Sequence, residues 1–297
     1  MKPSLTSFLY KILKTRKNKD LFTYIENIED LSILNNELKN KPYIGVDTEF
    51  RRTSKDNMRL ALLQVNDGEE IYLIDAVYIT NPTNECDFLF EDSVIKIFHS
   101  CKEDLEAIYS WTGRIMSNIF DTQLANALLN GDYSIGYQGL VEEKFEIVLD
   151  KHETRSNWIR RPLSDSQLNY AASDVEYLIY LFNEQQKKLI KSSKMNWLDE
   201  EIKNLISITF EPVDYYEELE SEISKTEERN LLHKFNEIII YTAERAEVNP
   251  TLLFSKKNQQ QFLRLVLHKG FKDASKFITN WRKDLIKDPL ERLLLER

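Results

Sequence analysis

Two stretches more than a hundred residues apart carry side chains whose types and spacing could do chemistry together. In Val46-Asp47-Thr48-Glu49-Phe50 an apolar approach through Tyr43, Ile44 and Val46 runs into two acids. The two-residue alternation of a strand places Asp47 and Glu49 on one face. In Tyr170-Ala171-Ala172-Ser173-Asp174 a spacing of four sets a phenol and a carboxylate side by side on one helix face. A further acid, Asp104, falls between them in His99-Ser100-Cys101-Lys102-Glu103-Asp104-Leu105-Glu106. Carboxylate oxygens suit a hard divalent cation. Two such ions about 4 Å apart can activate water, align it and neutralise a leaving oxygen in phosphodiester hydrolysis. Alone, each acid reads as a solvated surface charge; their order along the chain is what joins them.

Positioning these groups calls for an α/β fold. Ile25–Leu38 reads as a helix outside a sheet, ended by Asn40-Lys41-Pro42. Strand-like runs follow at Tyr43–Phe50, Leu60–Val65 and Ile71–Ile74, the last two joined by Asn66-Asp67-Gly68, an Asp-Gly hairpin signal. Phe88–Phe90 is a short helical candidate, Val94–Phe98 a buried strand and Lys102–Ser110 a helix. Asp104 thus occupies the first turn of a helix leaving a strand end, where open α/β sheets collect ligands. Asp121 reads as the N-cap of a helix over Thr122–Leu129. Ser164, with Gln167 three later, makes a capping box. It opens a long run in which Leu168, Ala171, Ala172, Val175, Leu178, Ile179 and Phe182 form one buried stripe beside Tyr170 and Asp174. Trp197–Ile206 is a further helix.

At 297 residues the chain has room for two domains. Its net charge of −9 argues mildly against a general nucleic-acid coat, although a metal cage would hide several acids. The two cysteines, Cys86 and Cys101, form no disulfide or metal-ligand pattern and read as free thiols in a reducing compartment, hence a cytoplasmic protein. No run approaches the ~18 apolar residues of a membrane span, so no membrane partner is expected. Residues 1–20 carry Leu5, Phe8, Leu9, Ile12 and Leu13 at helical spacing before Lys14, Arg16, Lys17 and Lys19, and read as a basic N-terminal arm. Residues 209–226 form an acidic linker. Residues 227–297 are helical, with a basic excess that includes Lys256, Lys257 and Arg264, candidate phosphate contacts. Phe50 and Trp158 are candidates for stacking on a terminal base, with core packing the other reading of Trp158. His99 and His152 read as structural or surface residues.

The sequence resembles the DEDD 3′-to-5′ exonucleases and, within them, the tyrosine-bearing branch typified by bacterial ribonuclease D. The resemblance covers about residues 25–190. It rests on Val-Asp-Thr-Glu-Phe at 46–50, Leu62-Leu63-Gln64-Val65, His99 to Glu106, Phe120-Asp121-Thr122-Gln123, and Trp158-Ile-Arg-Arg-Pro162-Leu163 leading into Tyr170 to Leu178. It implies a ribonuclease H-like mixed sheet flanked by helices over 21–208. It also implies two divalent ions, Mg²⁺ or Mn²⁺, with Asp47, Glu49 and Asp174 around the ion that activates water, Asp47 bridging to the second, and Asp104 supporting that one. Tyr170 would orient or deprotonate the attacking water, and a phenol pKa near 10 favours orientation. The implied activity is 3′-to-5′ exoribonuclease action by a monomer, with transfer-RNA precursors as substrates. A DNA exonuclease on the same scaffold and a non-catalytic RNA-binding adaptor stay open as alternatives. The C-terminal region, through Val248-Asn249-Pro250-Thr251-Leu252-Leu253-Phe254-Ser255 and Asn280-Trp281-Arg282-Lys283-Asp284-Leu285, resembles the helicase-and-ribonuclease-D C-terminal (HRDC) domain. The chain has room for one such domain where ribonuclease D commonly carries two. Lys55-Asp56-Asn57-Met58 stands where the family has a Tyr-Pro-type stretch.

Overall fold

The computed structural model describes residues 22–54, 57–150, 152–211 and 223–296. The basic arm at 1–20 and most of the acidic linker lie outside the described residues. The chain divides into two compact units. One holds the described residues up to Thr122 together with Ile135–Glu184; the other holds Gln123–Ser134 and the described residues from Gln185 onward.

The first unit is built on a six-stranded mixed sheet of order β1-β4-β3-β2-β5-β6. Its strands are β1 (Thr23–Ile25), β2 (Tyr43–Ser54), β3 (Asn57–Asn66), β4 (Ile71–Asp75), β5 (Ile95–Phe98) and β6 (Ile119–Asp121). β2, β3 and β4 run antiparallel to their neighbours in turn, while β1 on β4, β5 on β2 and β6 on β5 are parallel. β3 is buried from Leu60 to Asn66, the near-continuous apolar run of a strand covered on both faces. The Asp-Gly turn forms as expected: Gly68 takes φ +93°, and the Asp67 carboxylate accepts from the Glu69 and Glu70 N–H groups. β1 and β6 are strands that the sequence periodicity misses, and β1 displaces an expected helix start. Three residues are too few to show alternation, and the β1 segment is held by Tyr24, whose hydroxyl donates to the Asp75 carboxylate. The expected helix therefore starts later, at α1 (Ile28–Leu38), where the Asn27 side chain caps the Asp30 N–H at 2.9 Å.

Helices cover both faces of β2. α2 (Lys102–Thr112) meets the face of its even-numbered residues, where Thr48 and Arg52 bond to Asp104 and Glu106. Past α3 (Thr122–Leu128) and α4 (Tyr137–Phe145), α5 (Asp165–Glu176) and α6 (Leu178–Lys191) take the other face. Gly45 lets α6 approach closely there: a Cβ at that position would lie only 3.1 Å from Leu178 Cβ. Asn66 donates to the Val175 and Glu176 carbonyls, tying β3 to the end of α5.

The apolar stripe expected to run unbroken from Leu168 to Phe182 is carried by two helices. The Tyr137 hydroxyl donates to the Ser173 carbonyl at 3.1 Å and accepts from the Tyr177 N–H at 2.9 Å. A side chain spliced into an i to i−4 bond is a recognised cause of a helix break. The break falls one turn after Asp174.

The second unit contains α7 (Met195–Phe210), α8 (Lys225–Ala246), α9 (Pro250–Leu253), α10 (Lys256–Lys269), α11 (Phe271–Ala274) and α12 (Asn280–Leu295). The Glu201 carboxylate on α7 accepts from Trp281 Nε1 at 2.7 Å, Arg282 Nη2 at 2.8 Å and Thr279 Oγ1 at 3.1 Å. Trp197 stacks on Trp281 with ring centres 5.0 Å apart. The buried Lys194 ammonium donates to the carbonyls of Leu128 and Glu247, closing two helix C-termini at once. A mixed sheet flanked by helices and followed by an all-helical unit is the expected ribonuclease H-like architecture with its helical extension. Among the described residues no helix is long and apolar enough to cross a membrane.

Candidate active site

β2 delivers Asp47 and Glu49 opposite Gln64 and Leu62 of β3, both acids on the face that α5 covers. α5 starts where expected, with Ser164 Oγ accepting from the Gln167 N–H at 3.2 Å and Gln167 Oε1 accepting from the Ser164 N–H at 3.1 Å. That fixed start phases Tyr170 and Asp174, which are both buried. Asp104 in the first turn of α2 is buried too, and Thr48 Oγ1 donates to it at 2.5 Å. Asp47 and Glu49 are half-buried, leaving the site a side open to solvent.

The pKa shifts of Asp47 and Glu49 register the charges of Asp104 and Asp174 close by. Burial pushes Asp47 well above the usual carboxylate range, and the charges of Asp104, Asp174 and Glu49 add to the effect. Glu49 rises to about 9, through burial first and then Asp174 and Asp104. Asp104 is lifted by burial to about 7 against the Thr48 hydrogen bond, and Asp174 to about 7 against bonds from Tyr170 and Gln138. Such uncompensated negative charge is what a bound cation relieves. The donor set is all carboxylate oxygen, the chemistry of Mg²⁺ or Mn²⁺. Among the described residues, however, no three His, Cys, Asp or Glu side chains are grouped closely enough to hold a metal ion together. The fit lies in donor type and shared charge.

Burial and the neighbouring Asp174 push the Tyr170 phenol up. Its hydroxyl lies 3.1 Å from Thr154 Oγ1, and its ring packs 6.0 Å from that of Trp158. Trp158 is 3% exposed, so it presents little surface for stacking on a base. Phe50 is half-buried beside Glu49. In the second unit Lys256 and Lys257 are exposed in the first turn of α10, whereas Arg264 is engaged by Glu228 at 2.6 Å. His99 is held by Thr122 Oγ1 and the Ile135 carbonyl, and burial lowers its pKa. The Asp121 carboxylate accepts from the Ser100 and Cys101 N–H groups, so its structural role includes the entry to α2 as well as its expected place before α3.

Several positioning groups escaped the sequence reading. Thr48 lies inside the acidic motif, but a threonine between two acids announces no contact. Gln138 and Tyr137 brace Asp174 and its helix from about 36 residues upstream in the chain. Arg161 fixes the approach to α5: its guanidinium donates to the Asp75 carboxylate through Nε at 2.5 Å and Nη2 at 2.7 Å, and also to the Trp158 carbonyl through Nη1 and the Ala61 carbonyl through Nη2. Burial would raise Asp75, but the bonds from Arg161 and Tyr24 outweigh it and hold its carboxyl below the usual range.

A family model described as 3′-5′ exonuclease matches residues 22–190. Ribonuclease D of Shewanella sp. (strain ANA-3) is 36% identical over 197 residues, which are 65% of this chain and 51% of that protein. The chain thus spans about half the length of the curated relatives it matches. Escherichia coli RNase D, an exoribonuclease involved in structured RNA processing, shares the fold with a TM-score of 0.62 at 23% identity, over 93% of this chain and 74% of that one. Brucella melitensis NrnC with bound Mg²⁺ gives 0.55 at 22% identity, over 69% of this chain and 98% of that one. The family match takes in the whole sheet and all five of Asp47, Glu49, Asp104, Tyr170 and Asp174, and with it this chain belongs to the 3′-5′ exonuclease family.

Proposed function

We propose that the chain is a metal-dependent exoribonuclease that removes nucleotides one at a time from RNA 3′ ends, with transfer-RNA precursors as substrates. The observation that carries this reading is that the charges of Asp104 and Asp174, added to burial, raise the pKa of both Asp47 and Glu49, which brings acids from three separate elements to one place on the sheet. Asp47, Glu49 and Asp174 would hold one divalent ion, and Asp47 with Asp104 a second. Bound there, Mg²⁺ or Mn²⁺ supplies a hydroxide nucleophile and neutralises charge on the phosphate and the leaving oxygen. The Tyr170 hydroxyl, four residues from Asp174 and steadied by Thr154, orients the attacking water. Thr48 fixes the Asp104 carboxylate, and Arg161 with Tyr137 fixes the frame of α5. The likeness to ribonuclease D and the Mg²⁺ in NrnC support the RNA substrate and the metal. We assign the C-terminal helices to an HRDC-like domain that helps hold RNA, and the protein to the cytoplasm as a monomer.

The test is purified protein with Mg²⁺, with Mn²⁺ and with chelator on matched 5′-labelled RNA and DNA strands, beside Asp47→Asn. Stepwise shortening of RNA from its 3′ end, abolished by chelator and by Asp47→Asn, is the expected result. Equal or faster shortening of DNA would replace the RNA assignment, and retention of RNA without shortening under either metal would overturn the enzymatic one.

A further inference from the structure

Beyond the acids, β2 and β3 leave the body of the sheet. β5 pairs with β2 only over Tyr43–Gly45, and β4 pairs with β3 only over Leu62–Asn66. From Phe50 and Leu60 outward the two strands pair only with each other, as a two-stranded ribbon that begins just past Glu49. Its register places Arg51 directly opposite Arg59. The irregularity beside Glu49 falls between Leu62 and Leu60 on β3, so alternation along β2 continues. Asp47, Glu49 and Arg51 therefore share one face, and Arg59 faces the same way.

Like charges directly opposite each other on a ribbon are destabilising. Here both arginines are exposed, and among the described residues neither side chain makes an ion pair or hydrogen bond. Arg52, between them in sequence terms but on the other face, shows the contrast: it is clasped by Glu106 and Glu103. Arg51 lies two residues from Glu49, about 7 Å along the strand. The ribbon thus presents two uncommitted guanidinium forks on the acid face, one step away from the acids. A planar fork matches the oxygens of a phosphodiester, and an anion between the two would turn their repulsion into attraction.

We propose that Arg51 and Arg59 form a phosphate clamp that grips the backbone of a nucleic-acid strand just upstream of a 3′ end held at Asp47 and Glu49. The identity of the strand rests on the exonuclease reading above; the anion site rests on the pairing of the two arginines. The clamp contributes affinity and register, and it reads no base.

The experiment measures binding of a 5′-fluorescein oligouridylate of about twelve nucleotides to the full chain by anisotropy. Chelator is present so that no turnover occurs, and salt is varied. The variants are the double changes Arg51→Gln with Arg59→Gln and Arg51→Lys with Arg59→Lys. The expected result is a loss of affinity of roughly tenfold at low salt for the glutamine pair. Its slope of log affinity against log salt should fall by about 1.4, two phosphates at about 0.7 each for a single strand. The lysine pair, equally altered in shape but still charged, should keep most of the slope. With Mg²⁺ added, the glutamine pair should raise KM rather than lower kcat. An unchanged affinity and slope in the glutamine pair would overturn the clamp, as would an equal loss in the lysine pair. Arginine-dependent binding by a protein that shortens no strand would leave the clamp standing and overturn the exonuclease reading. No RNA binding by the unaltered chain would overturn both.

Discussion

Thr48 Oγ1 and the Asp104 carboxylate are joined by a 2.5 Å hydrogen bond across 56 residues of sequence. This contact fixes the acid from α2 against the strand that carries Asp47 and Glu49. Groups that orient a ligand acid are typically worth 10- to 100-fold in activity. Thr48→Val should therefore lower kcat/KM by about that factor while shifting the melting temperature little, and Thr48→Ser should recover most of the rate. Oligonucleotide shortening rates and a thermal melt of each variant check this.

Tyr137→Phe removes the hydroxyl that stands between the Ser173 carbonyl and the Tyr177 N–H. Two buried backbone groups lose their partner, at a cost of about 1–3 kcal/mol. Asp174 lies next to the break, so the shortening rate should fall with stability. Urea unfolding and initial rates measured side by side would show both losses; a fall in neither would mean that the helix closes its own bond when the hydroxyl is gone.

Lys96 is fully buried with its ammonium donating to the Glu91 carbonyl at 2.9 Å, and burial lowers its pKa to about 8. Its unfolded value is the ordinary 10.5. Between these values the unfolded chain binds more protons, so this residue makes stability rise with pH from about 8 to 10.5. Below pH 8 the folded state bears the full cost of the buried charge, at most about 3 kcal/mol. Lys96→Met should flatten that rise and stabilise the protein at pH 7, which urea midpoints at pH 7 and pH 9.5 would register.

Glu201 gathers Trp281, Arg282 and Thr279 onto one buried carboxylate. Glu201→Ala strands the Arg282 charge, and breaking such a pair costs about 3–5 kcal/mol. The second unit should lose stability and, with it, the near-ultraviolet dichroism of the Trp197–Trp281 stack. Glu201→Gln, which keeps an acceptor, should lose less.

Much of this protein is legible in the chain itself. Alternation in Val46–Phe50, the spacing of Tyr170 and Asp174, the Ser164–Gln167 box and the Asp67-Gly68 turn are local signals, each set by neighbours within about four residues. They place the acids on the right elements and in the right phase. Asp104 could be placed in a helix's first turn for the same reason.

What the chain could not state by itself depends on partners distant in sequence. β1 exists because Tyr24 reaches Asp75, 51 residues on, and α5 ends because Tyr137 enters its hydrogen-bond ladder. Arg161 reads as one of two adjacent arginines until its fork closes on Asp75, 86 residues away. Trp158 reads equally as a stacking surface or a core residue until burial decides. Arg51 and Arg59 are ordinary surface charges until strand register sets them face to face. Periodicity reports which way a side chain points from its own backbone. Only the packed chain determines what stands opposite, and hydrogen bonds, charge coupling and repulsion are set by that.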